Sequence, residues 1–280
     1  MSAIVNRPQM SEMSEMSEMS EMSRMNPQIF KPLDCVDISV IMPVYVGFRN
    51  MERLGYFFEA IESYCVQQTS REFELLVVDD GSSINLLGEL QKRFQIENFP
   101  FQFRYFRNEI RKEKSSSCNL ALSVARGNYI AFGDSDDRAL PIKLESLARA
   151  LDENPSKDLV FGGIYLIDDR GNRTQDHRES KYWSWYLEEP VRLGFSGKLT
   201  YENLCKVNFI HKQAVMVRRS GILRTSGFNP DLIYGEDYRL WLDVLKTARD
   251  KDPLVVIKDS GEVLKVAEYR KHSDSMGSPV

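Results

Sequence analysis

The sequence is poor in the residues that staple a fold covalently or through metals. Its 280 residues hold 4 cysteines and 3 histidines. Cys35, Cys65, Cys118 and Cys205 lie far apart without a Cys-x-x-Cys pair, which excludes a disulfide-framed scaffold and argues against structural zinc. With no secretory leader recognisable, free thiols in a reducing cytoplasm are the expectation. Positive charge is not in excess: 37 Lys+Arg against 41 Asp+Glu give a net charge of −4, so no nucleic-acid partner is expected. Apolar runs such as Leu159–Ile167 stop well short of the roughly 18 residues of a membrane span. No integral membrane segment is therefore expected, while peripheral association stays open. No Gly-x-Ser-x-Gly or Walker sequence occurs, and His177, His211 and His272 suggest no catalytic triad.

Methionine is abundant in one place. Seven of the 11 (Met1, Met10, Met13, Met16, Met19, Met22 and Met25) come from the first 25 residues, chiefly from Met-Ser-Glu triplets. A period of three drifts about 60° per repeat around a helix that needs ~3.6 residues per turn, so no buried stripe forms. Residues 1–33 read as a disordered low-complexity tail.

The pattern changes after Asp37. Ile38–Tyr45 and Phe73–Val78 are apolar runs of the kind buried on both faces of a parallel sheet. Further strands are expected near Phe101–Phe106 and at Tyr129–Phe132. Leu54, Phe57, Phe58, Ile61 and Cys65 mark one intervening helix, Leu86, Leu87, Leu90 and Phe94 a second, and residues 116–126 a third. Pro141 opens a fourth with the stripe Leu144, Leu147, Ala148 and Leu151. This alternation predicts a doubly wound α/β fold, a Rossmann-like, mostly parallel central sheet flanked by helices. The second half is irregular: a strand-like Leu159–Leu166, an aromatic cluster (Tyr182, Trp183, Trp185, Tyr186), an apolar run at Ala214–Val217, a helix from Gly235, and a strand at Val263–Val266 passing into a basic tail. Residues 34–154 and 155–280 are read as two halves of one domain.

Acidic clusters sit where strands end, the place where ligands bind in such sheets. Asp134-Ser135-Asp136-Asp137 reads either as a solvated turn capping the next helix or as a site for a hard divalent cation, Mn²⁺ or Mg²⁺, whose shell substrate phosphates and water complete. Asp79-Asp80-Gly81-Ser82 reads as a βα turn, or as a carboxylate accepting from a nucleobase or ribose. Glu236-Asp237 at a helix start favours the helix dipole, or presents a general base to the cleft. Arg270, Lys271 and His272 are solvated charge or a grip on a diphosphate.

Taken in order, Ile41–Tyr45, Leu76–Ser82, Asn119 with Ala125–Asp137, Gly235–Trp241 and Tyr269–His272 resemble the successive motifs of family 2 glycosyltransferases, from about residue 37 to 276. Each motif alone is weak; the ordered set is specific. The resemblance implies a GT-A fold and inverting transfer from a nucleotide-diphosphate sugar, a UDP-sugar foremost, to an acceptor hydroxyl of a saccharide or glycoconjugate. It places Pro43 and Tyr45 at the base pocket and Asp80 on the base, with Asn108, Asn119 and Asp134 on the donor side. It gives Asp136 to ribose and metal and Asp137 to the metal. Asp237 becomes the base with Glu236 its neighbour, and Arg270 and His272 reach the diphosphate or metal from a C-terminal loop. Cys118 departs from the pattern, since many relatives carry Arg before the Asn; Arg111 or Lys112 are its candidate substitutes. Two rival readings remain. One is a catalytically degenerate nucleotide-sugar-binding protein. The other is a sugar-phosphate nucleotidyltransferase, for which Pro43–Arg49 is a poor phosphate loop.

Overall fold

A computed structural model describes residues 28–30, 35–174, 199–256 and 263–271. The strands are β1 (Gln28–Phe30), β2 (Ile38–Val44), β3 (Phe73–Asp79), β4 (Gln102–Arg107), β5 (Tyr129–Phe132), β6 (Arg138–Ala139), β7 (Leu159–Phe161), β8 (Gly163–Ile167), β9 (Val215–Arg218), β10 (Leu254–Val255) and β11 (Lys265–Arg270). The helices are α1 (Glu52–Cys65), α2 (Leu86–Arg93), α3 (Glu113–Val124), α4 (Lys143–Glu153), the short α5 (Tyr201–Leu204) and α6 (Arg219–Ile222), and α7 (Glu236–Thr247).

The larger sheet has the order β1-β4-β3-β2-β5-β9-β7-β10. Its centre, β4-β3-β2-β5, is parallel, and β9 runs antiparallel between β5 and β7. The expected mixed α/β architecture is therefore present. β2 and β3 are buried along their whole lengths, as continuous apolar runs under helices on both faces must be. Because side chains alternate, Ile38, Val40, Met42 and Val44 join one core with Phe57 and Ile61 of α1 and Leu144 and Leu147 of α4. Ile41 joins the other with Ala121 of α3 and Leu240, Trp241 and Val244 of α7.

The elements differ from expectation where the sequence signal is local and short. Gln28–Phe30, inside the stretch assigned to the tail, pairs antiparallel with β4 as an edge strand. The third helix starts at Glu113, and its buried face is made of small residues, Ser115, Ser117, Cys118 and Ala121, that give little apolar periodicity. Leu159–Leu166 is two strands divided at Gly162, of which β7 stays in the large sheet and β8 joins a second sheet of order β6-β11-β8. The expected basic tail begins too early, because Tyr269 and Arg270 are strand residues of β11. Gly127 sits against the backbone of β2: a Cβ there would lie 2.5 Å from Ser39 N and 2.7 Å from Ile38 C.

Candidate active site

The strand order reverses at β2, with β3 and β4 on one side and β5 on the other, so a crevice opens past the carboxyl ends of β2 and β5. Pro43 is tolerated in this central strand because of where it falls. The Val44 carbonyl accepts from Asp80 N (2.8 Å) on the β3 side, so alternation turns Pro43 toward β5, whose pairing has already ended at Ile41↔Phe132.

The two aspartates ending β3 divide their work. Asp79 is a brace: Oδ1 accepts from Ser82 N (2.8 Å), and Oδ2 from Tyr105 Oη (2.6 Å) and the Arg107 guanidinium. Asp80 points to the crevice side, where Oδ1 accepts from Asn108 Nδ2 (2.8 Å) and Lys112 N (2.9 Å). Gly81 turns the chain at φ +74°, and a Cβ on it would come within 3.0 Å of Arg111 N. Next to it the Arg111 guanidinium lies over the Tyr45 ring, 4.5 Å from its centroid. Asp80, Asn108, Tyr45 and Arg111 thus form one corner, whereas beside Cys118 the cation is Lys212, with Nζ 3.8 Å from Sγ.

The turn after β5 is the second wall. Asp134 Oδ1 meets Lys212 Nζ at 2.9 Å and Lys114 Nζ at 3.3 Å. Burial alone would raise its pKa, but the two ammonium groups outweigh it and hold the carboxyl well below the usual range. Asp134 is therefore an anchor for two lysines. Asp137 is buried, Oδ1 accepts from Arg270 N (2.7 Å), and Oδ2 is buried without a partner. Burial, then Asp136 and Asp134, push its pKa well up. An orphaned buried carboxylate oxygen beside a second carboxylate fits a hard cation. Among the described residues no three His, Cys, Asp or Glu gather as a complete metal cluster, and His272 lies outside them. Behind the turn, Lys143 Nζ donates to Phe132 O (2.7 Å) and Tyr64 Oη (3.1 Å), and burial brings its pKa down to about 7.

The third wall is the start of α7, entered through Gly235 at φ +71°. Glu236 is buried, with Lys114 Nζ 3.6 Å from Oε1, so Lys114 links this helix to Asp134. Asp237 accepts from Tyr238 N (2.6 Å), and burial, then the Glu236 charge, raise its pKa, with Lys114 pulling the other way. A carboxylate raised toward neutrality is suited to take a proton. His211 stands nearby: Nδ1 accepts from Gln213 N (3.2 Å), Tyr269 meets its ring edge-on at 4.7 Å, and burial lowers its pKa to about 4, which keeps it neutral.

Two expected donor contacts have other employment. Asn119 clips a distant loop, donating to Phe228 O (2.7 Å) and accepting from Phe228 N (2.8 Å). Arg270 is fully buried, with Nε on Asp136 O (2.9 Å), Nη1 on the Asp168 and Asp169 carbonyls (3.2 and 3.1 Å) and Nη2 on Glu59. It supports the acidic turn, with its guanidinium engaged by Asp136, Asp168, Asp169 and Glu59. The aromatic cluster Tyr182–Tyr186 lies outside the described residues. Lys114 and Lys212 escaped the sequence reading. The one hint for Lys212 is a lysine set between apolar Phe209-Ile210 and Ala214–Val217.

A mostly parallel sheet with carboxylates at its switch point and a carboxylate-bearing helix beside them is an α/β fold of the GT-A type. The profile of "Glycosyl transferase family 2" matches residues 39–222, and the chain belongs to that family. It is 31% identical over 212 residues to an uncharacterized glycosyltransferase of Methanocaldococcus jannaschii, covering 76% of this chain and 64% of that protein. It is 30% identical over 211 residues to the Escherichia coli UDP-Glc:alpha-D-GlcNAc-diphosphoundecaprenol beta-1,3-glucosyltransferase, covering 75% of this chain and 70% of that one. Against an uncharacterized glycosyltransferase of Rickettsia felis it spans 33% of the relative's length. Among solved structures, S. aureus TarS 1-349 in complex with UDP superposes with a TM-score of 0.59 at 19% identity, covering 84% of this chain and 61% of that one. The Pyrobaculum calidifontis mannosyltransferase PcManGT in complex with GDP-Man and Mn²⁺ gives 0.56 at 19%, covering 88% and 62%.

Proposed function

We propose that the protein transfers a sugar from a nucleotide-diphosphate sugar, a UDP-sugar foremost, to a hydroxyl of a saccharide or glycoconjugate, inverting the anomeric centre. The observation that carries this reading is one crevice with a buried, half-unpartnered Asp137 on one wall and a pKa-raised Asp237 on another. The Tyr45, Asp80, Asn108 and Arg111 corner takes the nucleoside: Tyr45 and Arg111 offer flat faces to the base, and Asp80 accepts from its N–H groups or the ribose hydroxyls. Asp136 and Asp137 would hold a divalent metal, Mn²⁺ or Mg²⁺, with His272 as a further ligand. When bound, such a cation supplies positive charge to a diphosphate that gains negative charge as the C–O bond breaks. Lys114 and Lys212 neutralise Asp134, so the turn carries less net negative charge against the incoming diphosphate.

Asp237 removes the proton of the acceptor hydroxyl as that oxygen attacks the anomeric carbon from the face opposite the leaving nucleotide. Neighbouring Glu236, paired with Lys114, keeps the Asp237 carboxylate basic. One carboxylate base suffices for inversion, with no covalent intermediate. Support for the donor class comes from TarS with UDP and PcManGT with GDP-Man and Mn²⁺. A thermal-shift panel of nucleotide sugars with and without Mn²⁺ tests the reading, because a ligand of the native state raises its stability. A metal-enhanced shift with at least one nucleotide sugar is expected; no shift with any of them overturns it.

A further inference from the structure

At the end of β5 opposite the acidic turn, where β5 begins and antiparallel β9 ends, lies an open cavity of about 430 Å³. Asn128, Tyr129, Arg218, Arg219, Ser220 and Leu223 line it. Tyr129 stands across from Arg218 in the strand register, and Arg219 N donates to Asn128 O (2.9 Å), so backbone pairing sets these residues side by side. The two arginines differ in what they hold. Arg218 is fixed on neutral acceptors: Nε donates to Lys157 O (2.8 Å), Nη1 to Tyr129 Oη (3.3 Å) and Nη2 to Leu151 O (2.6 Å). The Arg219 side chain has no hydrogen bond or ion pair among the described residues, and its Nε is buried without an acceptor. The side chains of Asn128 and Ser220, both exposed, are also without a hydrogen-bond partner among the described residues. The carboxylates behind this wall have cations of their own. Asp152, which accepts from Tyr129 Oη, pairs with Arg71 at 2.6 Å, Glu145 shares that arginine at 3.5 Å, and Asp158 pairs with Arg224 at 2.6 Å. Arg71, Arg218, Arg219 and Arg224 against Glu145, Asp152 and Asp158 leave one positive charge over, and the guanidinium without a partner is that of Arg219.

We propose that this cavity binds the phosphate monoester group of a small molecule, at a site separate from the donor crevice. The proposal does not rest on the transferase reading. A buried donor left without an acceptor is uncommon and costly, and a ligand oxygen is one way to satisfy the group that carries it. Three side-chain donors without partners (the Arg219 guanidinium, the Asn128 amide and the Ser220 hydroxyl) border one cavity whose lining holds no carboxylate. A phosphate monoester brings three terminal oxygens, one for each donor, and a charge of about −1.5 to −2 at pH 7. A carboxylate brings two oxygens and one charge, and so leaves one donor unused. Arginine also matches phosphate geometry better than a point charge does. Arg218, held with its guanidinium carbon 5.5 Å from the Tyr129 ring centroid, adds positive charge that needs no reorientation when the anion enters. The volume is that of a small-molecule site and exceeds the needs of a bare anion. Leu223, 66% exposed, gives the carbon skeleton of the ester an apolar surface to rest on. Because Asp134 to Asp137 follow the other end of β5, a ligand here leaves the acidic turn untouched.

Titration calorimetry of the full chain without added metal, with glucose 6-phosphate, glycerol 3-phosphate, glucuronate and inorganic phosphate, tests the proposal. The wild type is compared with Arg219→Gln and with Leu223→Asp, which brings a carboxylate into the cavity. Neither change removes a hydrogen bond or a buried apolar side chain, so the unliganded melting temperatures should coincide, and binding is read where all three proteins are folded. At least one of the two esters should bind the wild type, more weakly as salt rises. Each variant should bind it about tenfold or more weakly, the scale of one charge-assisted hydrogen bond. Glucuronate and inorganic phosphate should bind the wild type more weakly than that ester does. Absence of binding by both esters overturns the proposal. So does equal binding by wild type and Arg219→Gln, which would put the ester elsewhere on the protein, the donor crevice included. Glucuronate binding as tightly as the esters would overturn the phosphate assignment, and inorganic phosphate binding as tightly would mark an adventitious ion only.

Discussion

Arg270 grips Asp137 and its neighbour from behind: its backbone N–H donates to Asp137 Oδ1 at 2.7 Å while its Nε donates to the Asp136 carbonyl at 2.9 Å. The guanidinium also carries two carbonyls of the 168–169 turn and Glu59, and lies 4.4 Å from the Tyr56 ring centroid. Arg270→Met would take the guanidinium partner from Glu59 and from the carbonyls of Asp136, Asp168 and Asp169, all of them part-buried bonds. A loss of roughly 2–3 kcal/mol is expected, below the full cost of a broken buried pair because Glu59 is part-exposed and rehydrates. Urea denaturation measures it, and an unchanged midpoint would return Arg270 to the list of ligand contacts.

Asn119 gives a contrasting case. Asn119→Ala removes both bonds to Phe228 and should cost about 1–3 kcal/mol. The donor KM at a temperature where the variant is folded should stay unchanged. A raised KM with unchanged stability would restore the donor role that the family resemblance implies.

The Lys114 bridge sets a pH dependence. In the proposed reaction Asp237 works as the carboxylate, and its raised pKa places the acid limb of activity above the ordinary aspartate range. Activity falls as pH drops through that raised value. Lys114→Met removes a positive charge that favours the carboxylate, so the limb should move to higher pH, and Lys114→Arg should restore it. The pH profile of kcat/KM reads both, and an unmoved limb in Lys114→Met would disconnect the two residues.

Lys143 makes stability itself depend on pH. Its pKa is lowered by burial to about 7, against about 10.4 for a free lysine side chain. Between those values the unfolded chain holds a proton that the folded one does not, so stability rises with pH across that window, by at most about 1.4 kcal/mol per unit for one group. Lys143→Met should flatten that rise. Denaturation midpoints between pH 7 and 10 compare the two slopes; parallel slopes would mean that Lys143 stays charged in the fold.

These residues also mark how far the sequence could be read. The parallel strands were legible because Ile38–Val44 and Phe73–Asp79 are continuous apolar runs, and the acidic groups were legible because they follow or begin such elements. Asp80 follows β3, Asp137 lies in the turn after β5, and Asp237 is in the first turn of α7. The burial of Arg270 is not legible in the sequence because its partner Glu59 lies 211 residues away. The convergence of Lys114 and Lys212 on Asp134 exists only once three elements are packed. Gln28–Phe30 is a three-residue edge strand, too short to show a period of two beside a repeat.

The central claim is that Asp237 is the base of a glycosyl transfer. Release of nucleotide diphosphate from the nucleotide sugar that shifts the wild type, with Mn²⁺ present, compares wild type with Asp237→Asn most directly. The account predicts a loss of about 10²–10⁴-fold in turnover with the thermal shift retained. Turnover at the wild-type rate in Asp237→Asn would contradict it.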